Sequence, residues 1–160
     1  MGAGRWLVVM LASAVLVLSA CSKSTPQAAP NPPSEATSSP SSAAQQDVVV
    51  TLQQWSITPS STTVAAGAIT FSVTNDGTIP HEFVVLSTDT SAADFPIESF
   101  EGESNRIDED TVGTNMGETG DMEPDTTMSK TIDLAPGHYA FVCNLPAHYD
   151  LGMHVDFTVT

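Results

Sequence analysis

From Asp47 to Thr160, apolar residues recur at every second position in short runs divided by turn-forming residues, and no segment sustains a helical period. A two-residue period places successive side chains on opposite faces of an extended chain, so each run has one apolar face to bury. Val48, Val50 and Leu52 share a face in a strand predicted over 47–57. Ile69, Phe71 and Val73 do so over 63–74, which stops at Asn75-Asp76-Gly77. Further strands are predicted over 81–86, over 127–134, over 138–143 after the turn Ala135-Pro136-Gly137, and over 153–160. Short alternating strands separated by turns predict an all-β fold, an antiparallel Greek-key sandwich over residues 47–160. Residues 94–109, with Phe95, Ile97, Phe100 and Ile107, leave room for a helical turn. Nine acids, Arg106 and four glycines between Glu101 and Asp125 predict a long solvated acidic loop.

The residues before Asp47 have a different character. Met1 to Arg5 carry one positive charge, and Trp6 to Leu18 is an almost unbroken apolar run, too short for a stable membrane span. It ends in Leu18-Ser19-Ala20-Cys21, which resembles the lipobox of bacterial lipoproteins. That resemblance implies removal of residues 1–20, a lipid on Cys21, and a place in the cell envelope, on the outer side of the cytoplasmic membrane or in the periplasm. Ser22 to Gln46 is rich in Ser, Pro and Ala and has no apolar period, so it reads as a tether for the domain that follows. With Cys21 acylated, Cys143 is the sole free thiol of an exported domain. An odd cysteine in that setting suggests a reactive or ligating group.

Beyond Cys21, only Lys23, Arg106 and Lys130 oppose 19 acids, and the whole chain carries a formal charge of −15. Nucleic acid and anionic lipid surfaces are poor partners for such a surface. A protein partner with a basic docking face, approached by a monomer of this chain, is the better expectation.

The chemistry is concentrated between Cys143 and Met153. Cys143, His148 and Met153 stand at C-x4-H-x4-M spacing, so one loop between two strands supplies a thiol, an imidazole and a thioether. Soft sulfur donors with imidazole suit copper; magnesium and calcium prefer oxygen. Parity tests whether the groups can meet. Tyr139, Phe141 and Cys143 share the inward face of one strand, and Met153, Val155, Phe157 and Val159 that of the next. His138 and His154 fall on the opposite parity and are expected to face solvent. His81 remains, at the start of a strand whose Phe83 and Val85 share its parity. Two histidines, one cysteine and a more distant methionine describe a mononuclear electron-transfer copper site.

Gly137 through Val159, together with Asn75-x-Gly77 through His81-Glu82-Phe83, resembles the cupredoxins, the superfamily of plastocyanin, azurin and sulfocyanin; the loop spacing is most similar to sulfocyanin and rusticyanin. The resemblance covers Val48 to Thr160. It implies one type 1 (blue) copper ion cycling between Cu(I) and Cu(II), with His81, Cys143 and His148 equatorial and Met153 axial. It further implies an electron port at an exposed His148 edge, with a docking collar of Pro80, Leu145, Pro146, Ala147 and Leu151. Around the ligands it implies supporting contacts from Asn144 and from Glu82, where several relatives carry Asn. By analogy, the redox partner would be a c-type cytochrome or a terminal oxidase.

Two other classes compete with this one. Met116, Met122 and Met128 recur every six residues beside the acidic loop, and thioethers hold Cu(I), which raises a copper-buffering or copper-delivery role. On this reading Met128 packs inward and the other two lie along the loop surface. An enzyme is disfavoured, because the spare histidines are scattered and an axial Met leaves no open position for substrate.

Overall fold

The computed structural model describes residues 46–100 and 103–160. The expected signal segment, the expected lipidation site Cys21 and the expected tether up to residue 45 lie outside the described residues. Two sheets face each other. The first has the order β2-β1-β4-β9, from Ser56–Pro59, Gln46–Gln53, Gly67–Asn75 and Thr127–Leu134; the second has the order β3-β11-β10-β5-β8, from Thr63–Val64, His154–Val159, Gly137–Val142, Val84–Ser87 and Thr114–Glu118. A small ribbon, β6 (Glu98–Phe100) with β7 (Glu103–Arg106), and a single helical turn, α1 (Glu109–Val112), fill the long connection after β5. The all-β sandwich is therefore as the alternation predicts. Its pairing is mixed, since β1 runs parallel to β4 and β3 parallel to β11.

The core is built from the predicted parities. Val48, Val50 and Leu52 of β1 and Ile69, Phe71 and Val73 of β4 are buried against Phe83, Val85, Tyr139, Phe141, Phe157 and Val159 of the other sheet. At the centre Phe71 meets Phe83, Phe141 and Phe157 with ring centroids 5.3–6.0 Å apart, mostly edge-to-face. Such rings bring both large apolar area and a geometric preference, so they fix how the sheets stack.

The structure departs from the sequence reading in several places. The strand predicted over 63–74 is two, β3 in the second sheet and β4 in the first, because the chain crosses between sheets at Ala65-Ala66, and the strand predicted over 81–86 is regular only from Val84. The strand predicted over 47–57 is two antiparallel strands, with a turn at Gln54-Trp55 between Gln53 and Ser56. The alternation of Val48, Val50 and Leu52 stops there and apolar residues resume on the other parity at Ile57, but the turn contains no Gly, Pro, Asn or Asp to mark it. The helical turn falls at Glu109–Val112, at the end of the predicted window and beyond it, with Asp108 capping it by accepting from Asp110 N. The acidic stretch is also not simply solvated. Ile107 and Met122 are buried, and β8 pairs with β5. Ile107, Ala92 and Phe95 cover Val84, Leu86, Ala140, Val142 and Tyr149 on the outer face of the second sheet. That connection thus buries β5 and β10 on both sides, next to the strand end that carries Cys143.

Candidate metal centre

Cys143 follows β10 directly and is fully buried; its backbone N–H donates to Met153 O at 3.0 Å. The loop between them is tied inward. His148 N donates to Leu145 O at 2.9 Å and Met153 N to His148 O at 3.1 Å. Ala147 enters the left-handed region at φ 66°, which turns the chain so that His148 points back toward Cys143. His81 comes from the segment that leads out of β4 in the first sheet and into β5, the neighbour of β10 in the second. It forms an isolated two-way bridge with Met122 (3.1 and 2.7 Å), one residue pair outside the regular strands. The turn before it is held by Asn75, fully buried, whose Nδ2 donates to Ile79 O and Met122 O and whose Oδ1 accepts from Gly77 N. Gly77 is needed by close approach: a Cβ there would lie 2.8 Å from His81 Nε2 and from Gln54 Oε1.

The three side chains meet. His81 Nδ1 lies 3.1 Å from His148 Nδ1, and Cys143 Sγ lies 3.2 Å from the same nitrogen. All three ligand atoms fall within 4.8 Å of one another, and all three residues are buried. Burial, with His148 as neighbour, drops the His81 pKa to about 4, and burial lowers that of His148. Both imidazoles are therefore neutral at ordinary pH, with lone pairs free to bind. Burial pushes the Cys143 thiol up to about 11, against the opposing N–H groups of Glu82 and Leu145. A thiolate at neutral pH therefore needs a cation beside it. One thiol and two neutral imidazoles directed at one buried point fit a soft transition-metal ion. Met153 is fully buried in the same core cluster as Cys143.

The surroundings hold the ligands in place. Glu82 N donates to Cys143 Sγ at 3.3 Å. The Glu82 side chain, standing where several relatives carry Asn, also braces the ligand strand: its Oε1 accepts from Asn144 N at 2.8 Å. Asn144 in turn accepts from Ile107 N and donates to Ile107 O and Glu109 Oε1, tying the ligand strand to the covering loop. Burial lifts the Glu82 carboxyl to about 7.

Of the collar residues, Pro80, Pro146 and Leu151 are exposed, while Leu145 and Ala147 are half-buried. His148 itself departs from expectation. Only 9% of it is exposed, because the Trp55 ring lies across it with centroids 5.2 Å apart and planes 76° apart. Trp55 was missed because its turn carries none of the usual turn-forming residues. His138 and His154 take the outward parity, yet neither simply faces solvent. His138 bonds Thr88 O and Asp156, and His154 lies 5.0 Å from the Tyr149 ring. The methionines are also rearranged. Met122 is buried, Met116 packs on the core, and Met128, predicted to point inward, is 43% exposed because edge strand β9 outruns its cover.

A family model described as a cupredoxin-like domain matches residues 9–155. The chain belongs to that family. Among solved structures, cupredoxins superpose over most of the chain. The reduced auracyanin of Roseiflexus castenholzii aligns at a TM-score of 0.51 and 22% identity, covering 72% of this chain and 96% of that one. Auracyanin A of Chloroflexus aurantiacus, described as a blue copper protein, aligns at 0.50 and 17%, with 72% and 99% covered. A rusticyanin variant aligns at 0.51 and 19%, with 72% and 78% covered. At these identities the likeness shows the shared fold. No curated protein matches.

Proposed function

We propose that this cupredoxin is an extracytoplasmic one-electron carrier with a single type 1 copper centre. The observation that carries the reading is the meeting of two imidazole Nδ1 atoms and one thiol Sγ at a buried point, 3.1–3.2 Å apart. His81, Cys143 and His148 would hold the copper, with Met153 as the fourth ligand. Bound there, copper supplies a reversible one-electron change at a site closed to substrate. The protein's part is to keep both imidazoles neutral, to stabilise the thiolate by the Glu82 N–H, and to fix the ligand frame through Asn75 and Asn144. A frame held by this many contacts changes little between oxidation states, which favours fast transfer.

Acylation at Cys21 would tether the domain to the outer side of a membrane in the cell envelope. The formal charge of −15 favours a redox partner with a basic docking face, such as a c-type cytochrome or terminal oxidase. The test is the visible spectrum and voltammetry of the copper-loaded domain. An intense absorption in the red with a reversible couple and no metal loss supports electron transfer. A colourless protein that readily releases Cu(I) supports buffering or delivery and ends the carrier reading.

A further inference from the structure

We infer that the Trp55 indole, and not the His148 edge, is the surface through which electrons enter and leave; this rests on the carrier function proposed above. His148 is the candidate ligand nearest the surface, yet only 9% of it is exposed, whereas Trp55 is 39% exposed. The two rings are in edge-to-face contact at 5.2 Å, within the range at which aromatic pairs touch. A partner docking at this end of the sandwich meets indole before imidazole.

The placement of Trp55 is built in. Gln54, the residue before it, donates from Nε2 to Thr78 Oγ1 at 2.6 Å and accepts from Thr78 N at 3.2 Å. These bonds clamp the β1–β2 turn onto the turn that precedes His81. On the other side the Trp55 carbonyl lies against Gly152, where a Cβ would come within 3.2 Å of it and where φ is +116°. The tryptophan is thus held from both ligand-bearing loops at once. Leu151, next in the chain to that Gly152, is 50% exposed and adds an apolar side chain to this end of the molecule. The exchange moves one electron between the metal and a one-electron redox protein. No bond or proton changes, and the indole is neither oxidised nor reduced: its π system provides the contact that a saturated side chain would provide less well.

The experiment compares Trp55→Leu, Trp55→Phe and Gln54→Ala with the wild type. Leu keeps an apolar cover over His148 while removing the π system. In the copper-free protein, NMR should show the His148 ring protons carrying a ring-current shift that Trp55→Leu removes; an unaltered shift places the indole off the imidazole and overturns the inference. In copper-loaded protein, electron self-exchange measured by line broadening should slow several-fold in Trp55→Leu at unchanged visible spectrum and potential. Phe should recover most of the rate, and Gln54→Ala should fall between. A Leu variant as fast as the wild type, with the same spectrum and potential, would make Trp55 a mere cover. If the Leu variant does not hold copper, Gln54→Ala decides, and a rate equal to the wild type's overturns the inference. A wild type with no reversible couple fails the carrier reading itself, before any variant is compared.

Discussion

At the scale of single residues, burial sets the protonation state of each candidate ligand, and that gives the site a defined pH response. With the thiol at about 11 and both imidazoles lowered, metal-free protein at neutral pH keeps the proton on Cys143, while His81 and His148 are neutral with one lone-pair nitrogen each. Binding a metal must release that one proton. Apparent copper affinity is therefore expected to rise about ten-fold per pH unit across the neutral range, with close to one proton released per ion in a weakly buffered titration. Cys143→Ser should lose both that proton release and the intense visible absorption; an unchanged blue spectrum would refute the ligand assignment. Glu82 behaves in the opposite sense to a salt-bridged acid. Its folded-state pKa of about 7 lies above the ordinary 4.5, so the folded state disfavours the ionised carboxylate. In copper-free protein this cost is absent below about pH 4.5, grows as pH rises toward 7, and is complete above it, at roughly 3 kcal/mol by linkage. Glu82→Gln keeps the acceptor for Asn144 N and removes the charge. It should stabilise the copper-free protein at pH 8 by about 1–3 kcal/mol and leave it nearly unchanged near pH 5, as read from denaturant titrations.

At the scale of elements, the two turns that present ligands are more specialised than the strands that carry them. Gly77→Ala tests this directly. Its new Cβ would lie 2.8 Å from His81 Nε2 and from Gln54 Oε1 and 3.0 Å from Asn75 Oδ1, so His81 or the clamp has to move. Copper affinity is expected to fall at least ten-fold and folding stability by about 1–3 kcal/mol, as expected for a forced shift in a well-packed region. Competition titration and denaturant unfolding would read the two effects separately. The strands were legible because an apolar period of two survives any context in which one face is buried. That is why Cys143, with Tyr139 and Phe141, was assigned inward correctly. The turns were legible only where they carry marked residues. Asn75-Asp76-Gly77 does, and it ends β4 at Asn75 as read. Gln54-Trp55 does not, so the turn that brings an indole onto His148 was hidden inside what read as one long strand. The acidic stretch misled for a related reason. Its charges dominate the composition, while the burial of Ile107 and Met122 and the pairing of β8 with β5 depend on contacts far away in sequence. Met128 shows the same limit, since parity gives a direction but does not tell whether an edge strand is covered at that point.

At the scale of the whole molecule, the metal site and the core can be considered separately, and their separation is testable. The Phe71, Phe83, Phe141 and Phe157 rings pack on one another and on flanking aliphatic residues; Cys143 and Met153 share that core, but as buried side chains whose packing requires no ion. Fully burying side chains of this kind contributes on the order of 1.5–3 kcal/mol each. The ligand turns are also held by protein contacts alone, through the Asn75, Glu82 and Asn144 hydrogen bonds. Small zinc domains differ, because there the metal replaces a missing core. Stripping copper with a chelator is therefore expected to leave far-ultraviolet circular dichroism and amide dispersion essentially unchanged. Stability should drop only by the mass-action contribution of binding, about 4 kcal/mol at a thousand-fold excess of free copper over Kd. Phe71→Ala should do the reverse. It should cost about 3–5 kcal/mol in the copper-free and loaded forms alike, from the cavity at the sheet interface, while the visible spectrum of the folded fraction stays as it was. If copper removal collapsed the fold, the core would depend on the metal and the rigidity assigned to the ligand frame would be lost with it.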